Sequence, residues 1–429
     1  MTEVLLIKGG HIIDPSQGID GIGHLLIEDG KVSRLSIGTE IETNNRAIKV
    51  IEAKGMVVMP GLIDMHVHLR EPGYEHKETI QTGTYAAIRG GFTAVCPMPN
   101  TNPVNDNATV TSFMIRKAYQ EGYCRVYPIG AITKGQMGLE LAEMALMHEA
   151  GAVAFSDDGR PVMNSLIMRR ALEYSKVIDV PIISHAEDLH LSEGGVMNEG
   201  ALSHALGLRG IPKAAEEVMV SRDIALARLT GGRLHIAHVS TKAAVDLIRR
   251  AKAEGIRLTA ETCPHYFTLT EEAIAGYNTN AKVNPPLRTA DDVAAIKEGL
   301  KDGTIDVIAS DHAPHHRDEK LLDFDNAPFG ISGIETVLSL SLELVTEGIL
   351  TMHRLVEKLS LNPARILSLS GGTLKEGTQA DLVVIDPHKP YILTEKSLSS
   401  KGKNTPLLGR ELTGKAVYTV FKGKVYEIA

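Results

Sequence analysis

The sequence contains, from residue 61 to residue 70, the stretch Gly61-Leu-Ile-Asp-Met-His-Val-His-Leu-Arg70. It follows an apolar run at residues 56–59 and a Pro-Gly pair, which is typical of a β-strand with a defined start. Alternate side chains of a strand share one face, so we expect Asp64, His66 and His68 to point the same way. Two imidazoles on one face suit a divalent metal ion, because neutral imidazole is a common zinc ligand. A lone His-x-His pair also occurs by chance, so the rest of the chain has to supply further ligands.

The composition is typical of a globular protein. Of its 429 residues, 43% are hydrophobic and 23% are charged. This length suits one large α/β barrel with an accessory module. The formal net charge of −8 and the lack of a run of Lys and Arg argue against nucleic acid as a partner.

The cysteines indicate the cellular compartment. Cys96, Cys124 and Cys263 are far apart and form no C-x-x-C pair, which favours a reducing compartment over a disulfide framework or a thiolate metal site. The N-terminus carries an acidic residue and only a short apolar run, unlike a signal peptide. No run of about 18 apolar residues suggests a membrane span. We therefore expect a cytoplasmic protein that uses neither a membrane nor nucleic acid.

The two ends of the chain share a β-rich pattern. Short strand-like runs fill residues 1–57, and the Asp29-Gly30 pair between two of them predicts a tight hairpin. Residues 373–429 contain similar runs at 380–386 and 416–426. We expect both ends to form one composite β-sandwich domain, since each is small for an independent sheet.

The middle of the chain, residues 58–372, alternates strand-like and helical patterns. Eight strands that alternate with helices imply a parallel sheet, and eight is the number that closes a barrel. We therefore predict an α/β fold, a (β/α)8 TIM-like barrel inserted in the terminal β domain. The predicted strands cover residues 57–67, 93–98, 126–131, 152–156, 181–184, 234–239, 257–261 and 306–310.

Polar residues collect at the carboxyl ends of these strands, where a barrel places its catalytic groups. They are His66, His68, Asn100, Asp157, Asp158, His185, His238, Asp311 and, close behind, His315. Four histidines and two aspartates exceed the needs of one tetrahedral zinc, and they fit one or two divalent ions that activate water and polarise a carbonyl. Asp311 is then the expected general base and acid, which takes the proton from the nucleophile and returns it to the leaving nitrogen.

These motifs resemble the amidohydrolase superfamily of metal-dependent hydrolases and, more narrowly, the class I dihydroorotases of bacterial pyrimidine biosynthesis. The resemblance runs in the family's order from residue 61 to residue 333. Besides residues 61–73, it is carried by Met98-Pro-Asn-Thr-Asn-Pro103, Phe155-Ser-Asp-Asp-Gly159, Asn198-Glu-Gly200, Gly210-Ile-Pro212, Val283-Asn-Pro-Pro-Leu-Arg288, Ser310-Asp-His-Ala-Pro-His315 and Phe329-Gly-Ile-Ser-Gly333.

One departure from the wider superfamily concerns the metal bridge. Hydantoinases, allantoinases and several dihydroorotases carry a carboxylated lysine after strand 4, whereas residues 151–160 contain no lysine here. Asp157 and Asp158 stand in its place, as an aspartate does in some class I dihydroorotases. Strand alternation lets only one of the two face the metals. Alignment of the motif favours Asp158, with Asp157 as the alternative.

The resemblance implies the reversible cyclisation of N-carbamoyl-L-aspartate to L-dihydroorotate, with a metal-bound hydroxide as the nucleophile of the hydrolytic direction. It implies zinc bound by His66, His68, Asp158, His185, His238 and Asp311. Arg70 shares a strand face with His68 and is expected to bind the substrate carboxylate, since guanidinium pairs with carboxylate bidentately. By motif, Asn100 and His315 complete that carboxylate pocket, and Asn284 with the backbone of Phe329 and Gly330 contacts the ring amide.

Two other functions remain as alternatives. The first is a different cyclic amidohydrolase of the hydantoinase or allantoinase kind, against which the missing lysine and Arg70 count. The second is an inactive homologue that serves as a scaffold for aspartate transcarbamoylase, against which the intact ligand set counts. For partners we expect a small-molecule substrate and a homo-oligomer, with aspartate transcarbamoylase as the candidate protein partner. Residues 314–331 lack a periodic pattern and are predicted to be a mobile lid beside the site.

Overall fold

The computed structural model describes residues 4–42 and 48–428. Strands in this part of the chain are β1 (Val4–Asp14), β2 (Ile19–Glu28), β3 (Lys31–Ile37), β4 (Ile48–Glu52), β5 (Val57–Pro60), β6 (Leu62–Val67), β7 (Phe92–Pro97), β8 (Arg125–Val126), β9 (Ile129–Gly130), β10 (Ala154–Ser156), β11 (Ile182–Ser184), β12 (Met197–Asn198), β13 (Gly210–Ile211), β14 (Leu234–Ile236), β15 (Leu258–Thr262), β16 (Val307–Ile308), β17 (Leu382–Ile392), β18 (Glu411–Phe421) and β19 (Lys424–Glu427).

The α-helices of the same residues are α1 (Ile80–Arg89), α2 (Ala108–Glu121), α3 (Met144–Glu149), α4 (Ser165–Ser175), α5 (Leu189–Ser192), α6 (Ala201–Leu206), α7 (Ala214–Thr230), α8 (Lys242–Ala253), α9 (Pro264–Thr268), α10 (Ala290–Asp302), α11 (Arg317–Lys320), α12 (Val337–Thr346), α13 (Met352–Val356) and α14 (Asn362–Ile366). A π-helical segment, Glu357–Leu361, joins α13 to α14. None of these helices has the length and apolar character that a membrane crossing requires.

Strands from both ends of the chain lie in one sheet. Its order is β19-β18-β17-β5-β1-β2-β3, with β4 paired to β1. The antiparallel pairing of β17 with β5, in which Leu382 faces Pro60, joins the last part of the chain to the first. Asp29 and Gly30 both have positive φ and form the turn between β2 and β3 that the Asp-Gly pair predicts. Buried apolar side chains from the strands of this sheet, drawn from both ends of the chain, form a hydrophobic cluster of their own.

The middle of the chain contains parallel sheets whose strands alternate with helices, which confirms the predicted mixed α/β class. One sheet has the order β6-β7-β8 and another the order β9-β10-β11-β14-β15-β16. Val67 at the end of β6 forms a parallel bridge with His312 just after β16. Each of the eight predicted strand segments overlaps an observed strand, and the segment 126–131 is divided between β8 and β9. The segment 57–67 is also divided, because its first part forms β5 in the terminal sheet and only its second part forms β6.

Local sequence explains why these elements form. Helix α8 begins at the capping residue Thr241, whose side chain accepts a hydrogen bond from the Ala244 N–H, and it buries Ala244, Val245, Ile248 and Ala251 at helical spacing. Strands β6 and β7 are buried at every position, as expected for parallel strands covered on both faces. Helix α12 is buried on nearly all sides and so lacks the polar face of an amphipathic helix.

Candidate active site

Four histidines and two aspartates, all buried, meet where the parallel strands end. Asp158 lies at their centre: its Oδ1 atom is 3.4 Å from His66 Nε2, 3.3 Å from His185 Nδ1 and 3.4 Å from His238 Nε2. His68 Nε2 is 3.1 Å from Asp311 Oδ1. The structure thus brings together six residues that are far apart in sequence. These six, His66, His68, Asp158, His185, His238 and Asp311, are called the ligand cluster below.

A cavity of about 190 Å³ opens above the ligand cluster. His66 lies beneath this cavity and is fully buried. The other site residues named from sequence all line its wall: His68, Arg70, Asn100, Asp158, His185, His238, Asn284, Asp311, His315, Phe329 and Gly330.

The two adjacent aspartates after β10 have different surroundings. Asp157 faces away from the histidines: its Oδ1 accepts hydrogen bonds from the backbone N–H groups of Ile132 (2.8 Å) and Thr133 (3.1 Å), and its Oδ2 accepts one from the Thr133 hydroxyl. Asp158 instead points at the imidazoles of the ligand cluster. The two side chains thus point to opposite sides, as strand alternation predicts, although β10 itself ends at Ser156.

The donor atoms of the ligand cluster fit a divalent metal. Buried polar atoms normally have hydrogen-bond partners, yet His66 Nε2 and Asp158 Oδ1 are buried and make no hydrogen bond. Both atoms belong to a trio with His238 whose donor atoms lie within 4.8 Å of one another, and His66, His68 and Asp311 form a second such trio. Imidazole nitrogen and carboxylate oxygen are zinc ligands, so these residues suit one or two ions of that kind.

Electrostatics in the ligand cluster favour a cation. Burial disfavours charge on His66, but the carboxylates of Asp158, Asp311 and Glu261 outweigh burial and raise the pKa of His66 well above its usual range. Burial likewise opposes ionisation of Asp158, and the histidines around it, His66 first, hold its pKa well below the usual range. The carboxylates therefore stay ionised and attract positive charge, from a proton or from a metal ion.

A positively charged wall faces the ligand cluster across the cavity. Arg70 Nε donates to the Pro314 carbonyl at 3.1 Å, and burial lowers the pKa of Arg70 to about 10, so the guanidinium stays cationic at neutral pH. His315 Nε2 donates to the Phe329 carbonyl at 2.7 Å, and His315 Nδ1 accepts from Lys77 Nζ at 3.3 Å. Burial, with Arg70 and Lys77 next in order, lowers the pKa of His315 and keeps this imidazole neutral.

The acidic residues that follow Arg70 in sequence are engaged elsewhere. Glu71 Oε1 lies 3.6 Å from Lys117 Nζ, and Glu75 accepts a hydrogen bond from the Gly73 N–H. The Arg70 guanidinium instead contacts the Pro314 carbonyl and His315. The guanidinium faces the cavity, where a substrate carboxylate can reach it.

Three residues of the site have left-handed backbone conformations that non-glycine residues rarely adopt: Arg70 (φ 62°), His238 (φ 33°) and Asp311 (φ 45°). Such conformations cost about 1–3 kcal/mol each and persist where the surrounding structure imposes them, commonly at functional sites. They direct these three side chains into the cavity just past the ends of their strands.

Known proteins resemble this chain over nearly its whole length. A model of the dihydro-orotase-like family matches residues 55–244. The dihydroorotase of Geobacter metallireducens is 57% identical over 421 residues, which cover 98% of this chain and 99% of that protein. The chain belongs to the dihydroorotase family. This finding confirms the family resemblance of the sequence motifs.

More distant dihydroorotase relatives and a solved structure extend the comparison. The dihydroorotase of Acetivibrio thermocellus is 53% identical over 422 residues, with 98% of each chain covered. The structure of an L-hydantoinase (dihydropyrimidinase) from Arthrobacter aurescens superposes with a TM-score of 0.88 at 26% identity, and covers 100% of this chain and 96% of its own. The fold is therefore shared between the dihydroorotase family and this hydantoinase.

Carboxylates behind the ligand cluster orient its imidazoles in this dihydroorotase-family chain. Glu261 Oε1 accepts from His66 Nδ1 at 2.7 Å, and Glu187 Oε2 accepts from His185 Nε2 at 2.9 Å. Such outer partners fix the orientation of metal-binding histidines. Neither carboxylate was among the site residues predicted from sequence, although Glu261 ends a predicted strand and Glu187 lies two residues after His185, the spacing that puts side chains on one face of a strand.

The structure gives hydrogen-bond partners that the motifs do not predict for three polar residues of the site, Asn100, Asn284 and Asp64. Asn100 Oδ1 accepts from His68 Nδ1 at 2.9 Å, so Asn100 orients a histidine as well as lining the cavity. Asn284 Nδ2 donates to Glu187 Oε2 at 2.8 Å, which links the cavity wall to the partner of His185. Asp64 Oδ1 bonds the backbone N–H of His66 rather than its ring, and burial raises the pKa of Asp64 to about 6.

Arg288, the last residue of the Asn-Pro-Pro-Leu-Arg motif, has a structural role. Arg288 is buried, and its Nη1 atom donates to Asn198 Oδ1 at 2.9 Å and to the Ile211 carbonyl at 3.0 Å. Two other dihydroorotase-like segments, 198–200 and 210–212, are thereby tied to the loop that carries Asn284. The Asn-Pro-Pro-Leu-Arg motif therefore contains both a residue that lines the cavity, Asn284, and a residue that fixes the position of its loop, Arg288.

Proposed function

We propose that this protein is a dihydroorotase, which interconverts N-carbamoyl-L-aspartate and L-dihydroorotate in the synthesis of pyrimidine nucleotides (UMP). The observation that carries the proposal is the pairing, in one cavity, of the ligand cluster with Arg70, whose guanidinium faces the cavity. An enzyme that hydrolyses a cyclic amide with a carboxylate substituent needs both a metal site and a cationic group for the carboxylate. Hydrolysis takes place at the ligand cluster, and the carboxylate binds at the arginine.

Zinc is the proposed cofactor, as one or two ions held by His66, His68, Asp158, His185, His238 and Asp311. Their fit to a metal rests on the buried, unpartnered His66 Nε2 and Asp158 Oδ1 and on the close donor trios. When bound, such ions polarise a carbonyl oxygen and lower the pKa of water toward neutrality. Glu261 and Glu187 keep the correct ring nitrogens of His66 and His185 turned to the ion.

Asp311 is the proposed general base and acid. It lies at the cavity wall, and the nearby histidines lower its pKa against the opposing effect of burial, so it is ionised and able to accept a proton. In hydrolysis, water attacks the ring amide carbon and Asp311 takes its proton. As the C–N bond breaks, Asp311 returns that proton to the leaving nitrogen. Ring closure follows the same path in reverse.

We assign substrate recognition to the cavity wall that faces the ligand cluster and contains Arg70. Arg70 binds the carboxylate as a charge-assisted pair, and neutral His315 and Asn100 flank it. Asn284 contacts the ring amide through the carbonyl oxygen that its bond to Glu187 leaves available. At Phe329 and Gly330, the backbone carbonyls are assigned to the ring amide. The Gly330 N–H donates its one hydrogen to the Lys282 carbonyl. Each of the two carbonyls already accepts one hydrogen bond, from His315 Nε2 and from Asn404 Nδ2, and keeps a second lone pair for the substrate.

The wider architecture and setting form part of the same proposal. The parallel pairings and the bridge between Val67 and His312 support a closed (β/α)8 barrel between the two parts of a terminal β-sandwich domain. The boundary predicted between residues 57 and 58 moves to residue 60, because β5 (Val57–Pro60) pairs with β1 and β17 of the terminal sheet. The boundary at residues 372 and 373 stays as predicted. Three buried free cysteines support a reducing, cytoplasmic location. Self-association and binding to aspartate transcarbamoylase stay predictions, which sedimentation of the protein alone and in mixture would measure.

A substrate panel tests the proposal. Zinc-loaded protein is assayed with L-dihydroorotate, hydantoin and allantoin, alongside Asp311→Asn and, as a control, Asp14→Asn in the terminal sheet. We expect turnover of dihydroorotate, its loss in the Asp311 variant and its retention in the control. Preference for hydantoin or allantoin would select the other cyclic amidohydrolases, and no turnover of any of the three would favour the scaffold role.

A further inference from the structure

A segment near the end of the chain contacts both arms of the loop that forms the carboxylate side of the cavity. Asn404 is buried, and its Oδ1 atom accepts from the His315 backbone N–H at 2.9 Å and lies 3.1 Å from the Ser332 hydroxyl. Its Nδ2 atom donates to the carbonyls of Ala313 at 3.0 Å and Gly330 at 2.9 Å. The amide oxygen and both amide hydrogens of Asn404 are therefore bonded to the two arms of this loop.

The backbone of residues 402–404 packs so closely against the loop that a larger side chain at Gly402 would not fit. A Cβ atom added to Gly402 would lie 2.6 Å from Pro314 Cβ and 2.8 Å from the His315 nitrogen. The Ser332 hydroxyl donates to the Gly402 carbonyl at 2.8 Å, and the Ser332 N–H donates to the Asn404 carbonyl at 2.8 Å. Residues 402–404 are called the clasp below.

The clasp bonds both ends of the long connection formed by residues 314–331. Ala313 N–H donates to the Ile331 carbonyl at 2.9 Å, so the two ends of residues 314–331 already meet. Asn404 adds bonds on both sides of that junction. Gly330 has φ +143°, and an added Cβ there would lie 2.9 Å from His315 Nε2, so the spacing of the two arms is tight.

We propose that Asn404 is a positioning residue for substrate binding, an inference that rests on the proposed function. It holds the backbones of His315 and Gly330 at the separation that the substrate carboxylate and the ring require. Asn404 acts from behind the cavity wall, through residues that line it. Its effect falls mainly on binding, because His315 and Gly330, whose backbones it bonds, line the carboxylate side of the cavity. Asp311 lies two residues before Ala313, and its side chain is bonded to His68.

The physical reason is the cost of unpaired buried polar groups. Replacing Asn404 with Ala leaves two carbonyls and one N–H without partners. Asn404→Asp keeps the acceptor but sets a carboxylate against the carbonyls of Ala313 and Gly330. Loss of such bonds is enough to change affinity about tenfold or more. Gly402→Ala disturbs the clasp with Asn404 intact, because the added methyl presses on Pro314 and His315.

Steady-state kinetics with L-dihydroorotate tests the proposal on Asn404→Ala, Asn404→Asp and Gly402→Ala. We expect KM to rise about tenfold with kcat and zinc content little changed, since the loss lies in substrate binding. The matched control is Asn362→Ala, whose Nδ2 atom donates to the Asp306 carbonyl at the opposite end of β16. An unchanged KM in the clasp variants, or the same change in the control, would overturn the inference.

Hydrogen exchange gives a readout that needs no turnover. In the wild-type protein the His315 amide is bonded to Asn404, so peptides covering residues 313–332 should exchange slowly, and faster in the clasp variants than in Asn362→Ala. Fast exchange at the His315 amide of wild type would contradict the clasp even if no variant folds. If wild type fails to turn over dihydroorotate, the proposed function fails, and exchange still decides whether Asn404 fixes the loop.

Discussion

His66 Nδ1 lies 2.7 Å from Glu261 Oε1, and both side chains are fully buried. This contact leaves the other ring nitrogen, Nε2, directed at Asp158 and Asp311. Glu261 Oε2 also lies 3.2 Å from His235 Nε2. One carboxylate therefore fixes the ring of the most deeply buried histidine in the ligand cluster, although it is no member of that cluster.

Glu261→Gln is expected to weaken zinc binding, because His66 loses the charged acceptor that orients its ring and raises its basicity. Loss of such an outer partner typically costs about 10–100-fold in metal affinity. Competition with a chromogenic chelator measures the dissociation constant. Asp14→Asn, which removes a buried carboxylate from the terminal sheet, is the control. Equal zinc affinity in Glu261→Gln and wild type would contradict the role.

Asp158→Asn and Asp157→Asn form a matched pair of neighbouring changes. We expect Asp158→Asn to reduce zinc affinity by more than the roughly 10–100-fold that is typical when a hydrogen-bond partner of a ligand is lost, because here the ligand itself is removed. Asp157→Asn should keep its zinc and lose about 1–3 kcal/mol of unfolding free energy, since its bonds to Ile132 and Thr133 weaken. Elemental analysis and denaturant unfolding measure the two effects, and the reverse pattern would make Asp157 the ligand.

Arg70→Ala should lower kcat/KM for dihydroorotate about 10–100-fold, the equivalent of the roughly 1.5–3 kcal/mol carried by a hydrogen bond to a charged group. Dihydrouracil, which lacks the carboxylate, should be hydrolysed equally by wild type and variant. Arg125→Ala is the control, because Arg125 on β8 pairs at 2.8 Å with Asp381, which precedes β17, and does not line the cavity. Equal losses for both substrates would assign Arg70 a structural role instead.

Lys320 gives a prediction for pH. It is buried, its Nζ donates to the carbonyls of Thr279 and Pro328, and burial, followed by repulsion from Lys282 and Arg70, lowers its pKa to about 7. In the unfolded chain its pKa is about 10.4. Between these values the unfolded state binds a proton that the folded state lacks, so folding stability contributed by Lys320 rises with pH.

Denaturant unfolding of wild type and Lys320→Met at several pH values measures this effect. The difference in unfolding free energy, wild type minus variant, should be constant below pH 7 and increase from pH 7 to pH 10. A difference that stays flat over this range would mean that Lys320 keeps its ordinary pKa.

Much of the site could be predicted from the sequence, because parallel strands bring their carboxyl ends together. His66, His185, His238 and Asp311 lie at such ends, so their meeting follows from the strand pattern alone. Strand alternation also required that one of Asp157 and Asp158 face away from the histidines. The choice between the two needed the motif, and in the structure Asp158 faces the imidazoles.

The remainder depends on contacts that no local pattern encodes. Asn404 lies 89 residues from His315 in sequence, and nothing around it marks an amide that bonds a loop of the cavity. The two chain ends were expected to share one domain, but the pairing of β5 with β17 was not expected, because Pro60 and Leu382 are even farther apart in sequence. Helix α12 is buried on nearly all sides, which removes the periodicity by which sequence identifies helices.

The most direct test of the central claim is the rate of L-dihydroorotate hydrolysis before and after metal removal. Chelator-treated protein, confirmed to be folded, is assayed alone and after stoichiometric zinc is returned. The account predicts that turnover is lost with the metal and restored by zinc in wild type, but is not restored in Asp158→Asn. Full activity of metal-free protein, or no activity of zinc-loaded protein, would contradict it.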